Sequence, residues 1–564
     1  MAVPQSINDI DLSPLPNKIY WNNDREWREE FIYFLMVDRF HDSRIRQPVT
    51  GSGRSHPPPD GERLGKVCGG TLRGVTQHLD YIKNLGCTAL WLSPVFENNP
   101  SPWDYHGYAI QNYLDIDPRF GTKQDLVDLV EAAHQRDMRV VLDVVINHSG
   151  DNWSYPGGFP YYYYKDTQYP MGEWRYPDRP VPLELRNPDF YHRRGEIRNW
   201  DDPEEMRHGD FFSLKDFNND EEPGNKELLK VLIKIHQYWI READIDGFRM
   251  DAVKHMGALA VSRFSVQMRE YAYSLGKRGF FLFGELIGDD DTIDRYIGPN
   301  TAMQVGSDTI YLGLSSVLDF PLNWVLPGVL KGQLPPTALF DRYTKLRHHA
   351  LSRGEMGNYL VTFLDNHDQV GQDYKRRFAA DSPDLQVIAG VGFLLCSIGI
   401  TCLYYGTEQG LDGQGHGDMF VREPLFDLDD AARNYLNPNN FIYEQIAQIS
   451  QVKNYLEPLH FGRMYFRETS ADGQHFALPD AHPCTLAFSR ILANDEVLVA
   501  YNTSTTEQRD DYIVVDGLLP GQKMVVEYGK NDNPNIPIQA AANGTHFIKL
   551  SLAPMEFAIL QRAQ

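Results

Sequence analysis

Two carboxyl groups stand in sequence patterns that could support catalysis. In the segment 246–255, Arg249 and Asp251 are two residues apart, so in a strand both side chains point to one face. A guanidinium beside a carboxylate favours its ionised form, which a nucleophile requires. Glu285 ends an apolar run after Gly284, and apolar surroundings raise a carboxyl pKa and keep the proton of a general acid. Taken singly, the two patterns fit a structural ion pair and a strand-end glutamate in water equally well.

Two more apolar runs end in polar residues, in segments 363–369 and 140–150. These residues are Asn366, His367 and Asp368 in the first segment, and Asp143, Asn147 and His148 in the second. Each alone could cap a loop or be a hydrogen-bonded polar group of the core. Together, the four strand ends deliver three candidate catalytic carboxylates and two histidines, which favours one shared site.

The elements that must position these groups are short buried strands. Continuous apolar runs at 31–38, 88–94, 139–146 and 360–365 are typical of strands covered on both faces. Between them lie amphipathic segments, such as the one after Thr122, where Asp125 completes a capping box. Strands alternating with helices to about residue 450 predict an α/β fold, and eight such units form a (β/α)8 TIM barrel. The carboxyl ends of its strands meet at one mouth, where catalytic groups gather.

Two regions break the alternation and predict further domains. Residues 149–215 are irregular and rich in aromatic residues and proline, which predicts a loop-rich insertion after the third strand. From 456 onward, short β-rich runs recur with turn residues between them, which predicts a C-terminal antiparallel β-sandwich. The predicted domains are therefore a barrel of residues 1–148 and 216–455 with an N-terminal extension, an insertion of residues 149–215, and a sandwich of residues 456–564.

Composition narrows the class of partner. The 564 residues carry 54 Lys and Arg against 77 Asp and Glu, a formal charge of −23, which disfavours nucleic acid and anionic membranes as partners. Tyr, Trp and Phe make up 12% of the chain, and such rings suit sugars, which are apolar on one side and hydrogen-bonding on the other.

Five cysteines without close spacing predict free thiols in a reducing compartment. With neither a leader nor a spanning segment recognised, we expect a cytoplasmic protein, or a secreted one if a leader had been trimmed.

The four strand-end segments, in their order and intervals, resemble the signature regions of the α-amylase family of retaining glycoside hydrolases. The resemblance runs from about residue 30 to the C-terminus. It implies that Asp251 is the nucleophile, Glu285 the acid/base and Asp368 the third carboxylate, which binds sugar hydroxyls and stabilises the transition state. It also implies that four neighbours line the same subsite: Asp143, His148, Arg249 and His367.

Three further pairs of residues receive sugar-binding roles from the resemblance. His106 and Tyr108 match the segment after the second strand, where a tyrosine stacks on the sugar at the cleavage subsite. Asp418 and Arg422 match a pair on the glycone side in the loop after the eighth strand. Lys254 and His255 match a pair that faces an aglycone-side sugar in endo-acting members. Without the resemblance, His106 and Tyr108 would be interpreted as packing residues, and Asp418 and Arg422 as a solvated ion pair.

A calcium ion is also implied by the resemblance. In calcium-dependent members, an asparagine, an aspartate near the end of the insertion and the carbonyl of a histidine meet around one Ca²⁺, a hard ion that prefers oxygen ligands. Asn147, Asp216 and His255 match those positions. A metal-free, hydrogen-bonded junction is the alternative. No organic cofactor is expected.

The resemblance predicts hydrolysis of α-1,4-glucosidic bonds in starch- or glycogen-type glucans or maltooligosaccharides, through a covalent glycosyl-enzyme. The Lys254–His255 pair favours amylases and cyclodextrin glucanotransferases over exo-acting glucosidases. A 4-α-glucanotransferase is the alternative, since water and a sugar hydroxyl compete for one intermediate. A catalytically inactive glucan-binding or accessory protein is a remote alternative, because such relatives lose catalytic carboxylates that this chain keeps.

Overall fold

The centre of the molecule is a barrel of eight short parallel strands. The computed structural model describes residues 3–563 except 55–60, 159–160, 177–178, 220–225, 298–301, 306–307, 312, 352–353, 373 and 531–533. The barrel strands are β1 (Phe31–Leu35), β2 (Ala89–Leu92), β3 (Arg139–Val144), β4 (Gly247–Met250), β5 (Phe281–Gly284), β6 (Ser316–Val317), β7 (Val361–Thr362) and β8 (Ile400–Tyr404). Their order in the sheet is β6-β5-β4-β3-β2-β1-β8-β7. A parallel bridge from Leu318 to Val361 joins the two edge strands and closes the ring. The predicted (β/α)8 barrel is confirmed.

Each strand is followed by a helix that covers the outside of the barrel. These helices are α1 (Leu79–Asn84), α2 (Lys123–His134), α3 (Lys226–Ala243), α4 (Ala258–Ser274), α5 (Asp290–Ile297), α6 (Pro336–Leu346), α7 (Asp384–Cys396) and α8 (Phe441–Tyr455). Helix α2 begins at the predicted capping box, in which the Thr122 hydroxyl accepts from the Asp125 N–H and the Asp125 carboxylate accepts from the Thr122 N–H. It buries Leu126, Leu129 and Val130 against the strands.

Short elements decorate the loops. The helical ones are Val37–Phe40, Gly61–Leu64, Leu72–Gln77, Phe320–Asn323 and Leu326–Leu330, with 3-10 turns that include Val253–His255, Thr407–Gln409 and Asp418–Val421. Small strand pairs join Gln47–Pro48 to Arg433–Asn434, Phe96–Asn98 to Ile110–Ile116, Lys375–Arg376 to Gln414–Gly415, Ala302–Val305 to Asp308–Tyr311, and Ala350–Leu351 to Gly354–Glu355.

The barrel interior is filled by side chains. All residues of β1 to β8 are buried, and the rings of Phe34 and Trp91 stack there with centroids 3.7 Å apart. Burial on both faces explains why the strands appear in the sequence as continuous apolar runs.

The segment 149–215 leaves the barrel after β3 and is largely irregular. Its regular pieces include the helix Pro203–His208 and the 3-10 turns Leu183–Arg186 and Pro188–Phe190. At its base, His148–Ser149 pairs antiparallel with Lys215–Asp216, so the segment leaves and re-enters the barrel side by side. This pairing supports the predicted insertion at 149–215, whose limits stay a prediction.

The C-terminal part consists of antiparallel sheets, as predicted. After the helix Glu457–Phe461, the strands are β9 (Arg463–Phe466), β10 (Thr469–Ser470), β11 (Thr485–Leu492), β12 (Asp495–Asn502), β13 (Arg509–Val514), β14 (Lys523–Tyr528), β15 (Asn535–Pro537), β16 (Gln539–Ala540), β17 (His546–Leu552) and β18 (Phe557–Ala563). A six-stranded sheet has the order β9-β11-β12-β18-β14-β15, and a four-stranded sheet has the order β10-β13-β17-β16. The end of α8 at Tyr455 supports the predicted domain limit at 455/456.

None of the five cysteines forms a disulfide bond. Cys87, Cys396, Cys402 and Cys484 are buried, and Cys68 is half-buried. Among the described residues, no helix combines the length and the apolar character that crossing a membrane demands.

Candidate active site

A cavity of about 560 Å³ opens at the carboxyl ends of the barrel strands. It contains ten residues predicted from sequence, namely His106, Tyr108, His148, Asp251, Lys254, His255, Glu285, Asp368, Asp418 and Arg422. They come from the loops after β2, β3, β4, β5, β7 and β8. Because parallel strands bring their ends to one mouth, residues up to about 300 positions apart in sequence meet here.

The floor of the cavity is organised around one buried arginine. The Arg249 guanidinium, which is fully buried, donates to both oxygens of Asp143 at 2.9 and 3.0 Å and to Asp251 at 2.8 Å. Its other terminal nitrogen lies 3.0 Å from Glu285 Oε2. One planar cation therefore holds Asp251 and Glu285 side by side. Such closeness is typical of retaining glycosidases, whose two carboxyl groups are about 5 Å apart.

Burial and charge give these two carboxyl groups different proton affinities. Burial raises the pKa of Glu285 to about 8; Arg249 opposes this rise, while Asp251 and Asp368 add to it. Burial also raises the pKa of Asp251, to about 6, with Arg249 and a hydrogen bond from Glu285 holding it down and Asp143 and Asp368 pushing it up. The sequence prediction that Arg249 decides the charge of Asp251 is thus too simple. Near pH 7, Glu285 keeps its proton while Asp251 is ionised, as an acid and a nucleophile require.

The backbone around the floor is tightly constrained. Ala252, which follows Asp251, has φ of 50°, a left-handed conformation that alanine rarely adopts, and its N–H donates to Glu285 Oε2 at 3.2 Å. Gly284 precedes Glu285, and a Cβ there would meet Leu314 and Val253 at 2.7 Å. A larger residue at position 284 would therefore displace the carboxyl group that follows it.

Asp368 lies on the floor opposite the other two carboxyl groups. Its Oδ1 accepts from Arg422 at 2.7 Å, and its Oδ2 lies 3.3 Å from His367 Nε2. The Asn366 side chain accepts from the Asp368 N–H at 3.0 Å, which fixes the turn. The Asp368 side chain is 26% exposed and faces the cavity, so its carboxylate can accept hydrogen bonds from a ligand.

Aromatic rings continue the floor on the β2 side. The Tyr108 hydroxyl donates to Asp143 at 3.0 Å and lies 2.8 Å from His367 Nε2, and its ring stacks on His367 with centroids 5.5 Å apart. His148 Nε2 is buried with no hydrogen-bond partner within the described structure, and burial lowers the pKa of His148 to about 3. Burial likewise lowers the pKa of His106 to about 3. These histidines are neutral and can hydrogen-bond to hydroxyl groups.

Asp418 forms a charged rim with Arg422 and with a lysine that the sequence reasoning missed. Lys375 Nζ lies 3.2 Å from Asp418 Oδ1 and donates to the carbonyls of Asp368 and Gln369 at 2.6 and 3.2 Å. Arg422 lies 3.5 Å from Asp418. The rim therefore ties the loop after β8 to the loop that carries Asp368.

An aromatic wall from the insertion lines the same cavity, although the sequence reasoning named none of its residues. We define it as Trp200, Phe211 and Phe212, which all line the cavity beside Lys254 and His255. The Phe211 ring lies 4.3 Å from the His255 ring, while Phe212 is 66% exposed with a left-handed φ of 55°. Large exposed apolar rings in a polar cavity suit the apolar face of a sugar. The density of aromatic residues in the insertion was the available signal.

Three predicted sugar-binding residues do not line the cavity. Asp143, Arg249 and His367 have exposures of 0, 0 and 2%, and they lie beneath the residues that do. Their hydrogen bonds to Tyr108, Asp251 and one another position the floor. The tyrosine run 161–164 of the insertion also lies outside the cavity lining. In this structure Asp143, Arg249 and His367 position the floor, and the sugar-binding roles predicted for them stay a prediction.

The predicted calcium ligands lie together but do not form a calcium cage. Asp216 has one oxygen 3.3 Å from the Asn147 amide nitrogen and the other 2.5 Å from His192 Nδ1. The neighbouring carboxylate, Asp210, accepts from Lys215 at 3.3 Å, and the His255 ring donates to the Met206 carbonyl. Asn147 Oδ1 is buried and unpaired. Ca²⁺ takes six to eight oxygen ligands. Both carboxylates at this junction are paired with nitrogen donors, so the junction does not offer the set of free oxygen ligands that calcium takes. Among the described residues, there is also no group of three or more acidic, histidine or cysteine side chains that could hold a metal.

A parallel eight-stranded barrel with an insertion after β3 and paired carboxyl groups at its mouth defines the class of (β/α)8-barrel glycoside hydrolases. A family model described as the α-amylase catalytic domain matches residues 34–457. The chain belongs to the α-amylase family.

Individual relatives agree with this assignment. The chain is 30% identical to an α-amylase of Streptomyces lividans over 85% of its own length and 56% of that protein. It is also 30% identical to a cyclomaltodextrin glucanotransferase of Klebsiella oxytoca, over 72% of its length and 63% of that protein. The chain thus spans less than two thirds of these curated relatives. A crystal structure of an α-amylase from Geobacillus thermoleovorans with acarbose superposes with a TM-score of 0.69 at 26% identity, covering 96% of this chain and all of that one.

Proposed function

We propose that this protein is a retaining glycoside hydrolase that cleaves α-1,4-glucosidic bonds of starch- or glycogen-type glucans or maltooligosaccharides. The observation that carries the proposal is the Arg249 guanidinium, which holds Asp251 and Glu285 together at a solvent-open cavity. Their pKa values of about 6 and 8 give the ionised and protonated partners that double displacement uses.

The first chemical step joins the sugar to Asp251. Its carboxylate attacks the anomeric carbon, and Glu285 transfers its proton to the glycosidic oxygen as the bond between that oxygen and the anomeric carbon breaks. In the second step, the Glu285 carboxylate takes a proton from water, whose oxygen attacks the same carbon and releases Asp251. Two inversions retain the α configuration. Asp368, fixed by Arg422, accepts from sugar hydroxyls.

The two sides of the cavity suit different parts of the substrate. The rim of Asp418, Arg422 and Lys375 offers charged donors and acceptors to hydroxyls on the glycone side. On the other side, Lys254 and the aromatic wall of Trp200, Phe211 and Phe212 offer a cation and ring faces to the aglycone. These subsite roles rest on the family resemblance together with the placement of the residues.

A 4-α-glucanotransferase is the second candidate. It is favoured by the exposed aromatic wall beside Glu285, because rings that hold an incoming sugar place its hydroxyl where water would otherwise attack. The similarity to the Klebsiella oxytoca glucanotransferase supports the same reading. An inactive binding protein is disfavoured, since Asp251, Glu285 and Asp368 all stand in the cavity.

Incubation with soluble starch, maltotriose, pullulan and cyclodextrins, followed by product chromatography, separates these functions. We expect short linear maltooligosaccharides from starch. Longer or cyclic products from short donors would instead identify a transferase. NMR of the first products should show the α anomer, and an initial β anomer would contradict the retaining mechanism.

We also propose a cytoplasmic location, supported by the five free thiols, four of them buried. Detection of the protein in the cytosolic fraction of its source cells, rather than in the medium, is the expected result. Calcium, in contrast, is not part of this proposal, because His192 and Lys215 occupy the carboxylates at the junction.

A further inference from the structure

A second cavity lies directly beside the catalytic one. Its volume is about 570 Å³, and it lies between the helical segment after β6 and the loop after β7. Val370 and Gly371 line both cavities, so one short stretch of the β7 loop is their common wall. The two cavities are therefore neighbours across this stretch of loop.

One wall of this groove is an exposed indole. Trp324 is 48% exposed and follows directly after the helix Phe320–Asn323. Its nearest aromatic neighbour is Phe320, at 6.3 Å between ring centroids, and its indole N–H makes no hydrogen bond within the described structure. A tryptophan with a free face and a free donor suits a ligand that is apolar on one side and rich in hydroxyls on the other.

The opposite wall is polar. Arg376 and Asp381 form an ion pair of 3.0 Å, with side chains 50 and 68% exposed. Gln372, whose side chain accepts from the Arg376 N–H at 3.2 Å, lines the groove beside them, and Gln333 lies on the rim next to Trp324. Guanidinium, carboxylate and amide groups together supply both donors and acceptors, as pairs of vicinal hydroxyls require. The groove thus combines a ring platform with planar polar groups.

We propose that this groove binds a remote stretch of an α-glucan chain, so that long substrates are held at two places while short ones are held only at the catalytic cavity. The proposal rests on the proposed function and on the shared wall of Val370 and Gly371, which makes the groove continuous with the cleft. Holding one chain at two linked sites raises the effective concentration of the second contact and lowers the KM for polymers.

The test compares Trp324→Ala with the unaltered protein on two substrates. With soluble starch, the variant should show a KM raised roughly three- to tenfold, the loss expected for one aromatic contact, with little change in kcat. With 4-nitrophenyl α-maltotrioside, kcat/KM should not change. Tyr273→Ala is the matched control, since Tyr273 is 68% exposed on the outer helix α4. It should leave both substrates unaffected.

Two further variants guard against a folding defect. Trp324→Phe keeps a ring and should raise the starch KM less than Trp324→Ala. Asp381→Asn removes the ion pair while keeping a residue that tolerates the left-handed φ of 56° at this position, and it should raise the starch KM slightly. An unchanged starch KM in Trp324→Ala with a native melting temperature would overturn the proposal. So would an equal loss on both substrates.

Affinity electrophoresis in gels that contain soluble starch separates failure of the groove from failure of the proposed function. The unaltered protein should be retarded, and Trp324→Ala should be retarded less. If starch is not cleaved but retardation still depends on Trp324, the glycosidase proposal fails and the groove stands. If starch is cleaved but retardation is equal in both proteins, the groove proposal fails alone.

Discussion

The floor and the aromatic wall of the catalytic cavity are held in different ways. On the floor, Arg249 is fully buried and contacts three carboxylates at 2.8–3.0 Å. On the wall, Phe212 is 66% and Trp200 is 40% exposed, and the centroids of their ring contacts are 5.2–6.0 Å apart. The carboxyl groups of the floor are thus fixed by charge and hydrogen bonds, whereas the rings of the wall keep freedom to adjust. Under the proposed function, this difference would separate the chemical step from the choice of acceptor.

The largest effect should come from the floor. Glu285→Gln keeps the shape of the side chain but has no carboxyl proton, so kcat on starch should fall about 10³-fold or more. Starch binding should persist, because the wall and the rim are untouched. Measured initial rates and starch-gel retardation of the same preparation provide the two readings. Cleavage at the original rate would remove Glu285 from the mechanism.

The pH profile tests the proton distribution on the floor. Asp251 must be ionised, which requires a pH above its pKa of about 6, and Glu285 must be protonated, which requires a pH below its pKa of about 8. We therefore expect kcat/KM to rise with pH up to about 6, to peak near 7 and to fall above 8, roughly tenfold per pH unit on each side. His148→Asn should leave the positions of both limbs unchanged, since the pKa of His148 lies near 3. A shift of either limb of the pH profile in this variant would contradict the assignment of the limbs to Asp251 and Glu285.

A substitution in the aromatic wall should have a smaller effect than one in the floor, and should change the products rather than the rate of hydrolysis. Phe212→Ala removes an exposed ring beside Lys254 and Glu285, so we expect the ratio of transfer to hydrolysis to fall several-fold while kcat for hydrolysis changes little. Chromatography of products from maltotriose measures that ratio. Trp174→Ala in the same insertion, away from the cavity lining, serves as the comparison. A large loss of kcat in Phe212→Ala would show that wall and floor are not separable.

The smallest expected effect is that of EDTA on the junction of Asn147, Asp216 and His255, where the calcium ion was predicted. Because His192 and the Asn147 amide occupy the Asp216 carboxylate, EDTA should shift the melting temperature by less than about 2 °C and leave activity unchanged. Asp216→Asn, in contrast, disturbs the buried hydrogen bond with the His192 ring, which should cost about 1–3 kcal/mol of stability. Differential scanning fluorimetry with and without EDTA or CaCl₂ gives the comparison. A large EDTA-dependent loss of stability would restore the calcium assignment.

The floor could be predicted from sequence, but much of the wall could not. The candidate catalytic residues Asp251 and Glu285 directly follow apolar strands, and Asp368 lies six residues after a third strand. Parallel strands carry their carboxyl ends to one place by geometry alone. Trp200 and Phe212 belong to an irregular segment whose path depends on distant contacts, so spacing along the chain does not report their position. Spacing along the chain also does not report burial. Asp143 and Arg249 were predicted as cavity residues, although both lie below the cavity lining.

The closure of the barrel gives the molecule a mechanical asymmetry. Strands β6 and β7 have two residues each and meet through the single bridge from Leu318 to Val361, whereas neighbouring strands elsewhere share two to four register pairs. The ring therefore has one weak joint, and local opening should begin there, with the fastest amide hydrogen exchange among the strands. Trp324 lies on the segment that follows β6, and Asp368 lies on the loop that follows β7, so both are attached to this joint. Local opening of the barrel would consequently affect the third carboxylate and the proposed polymer site first, and would affect Arg249 less, because Arg249 lies on β4, two strands from the joint.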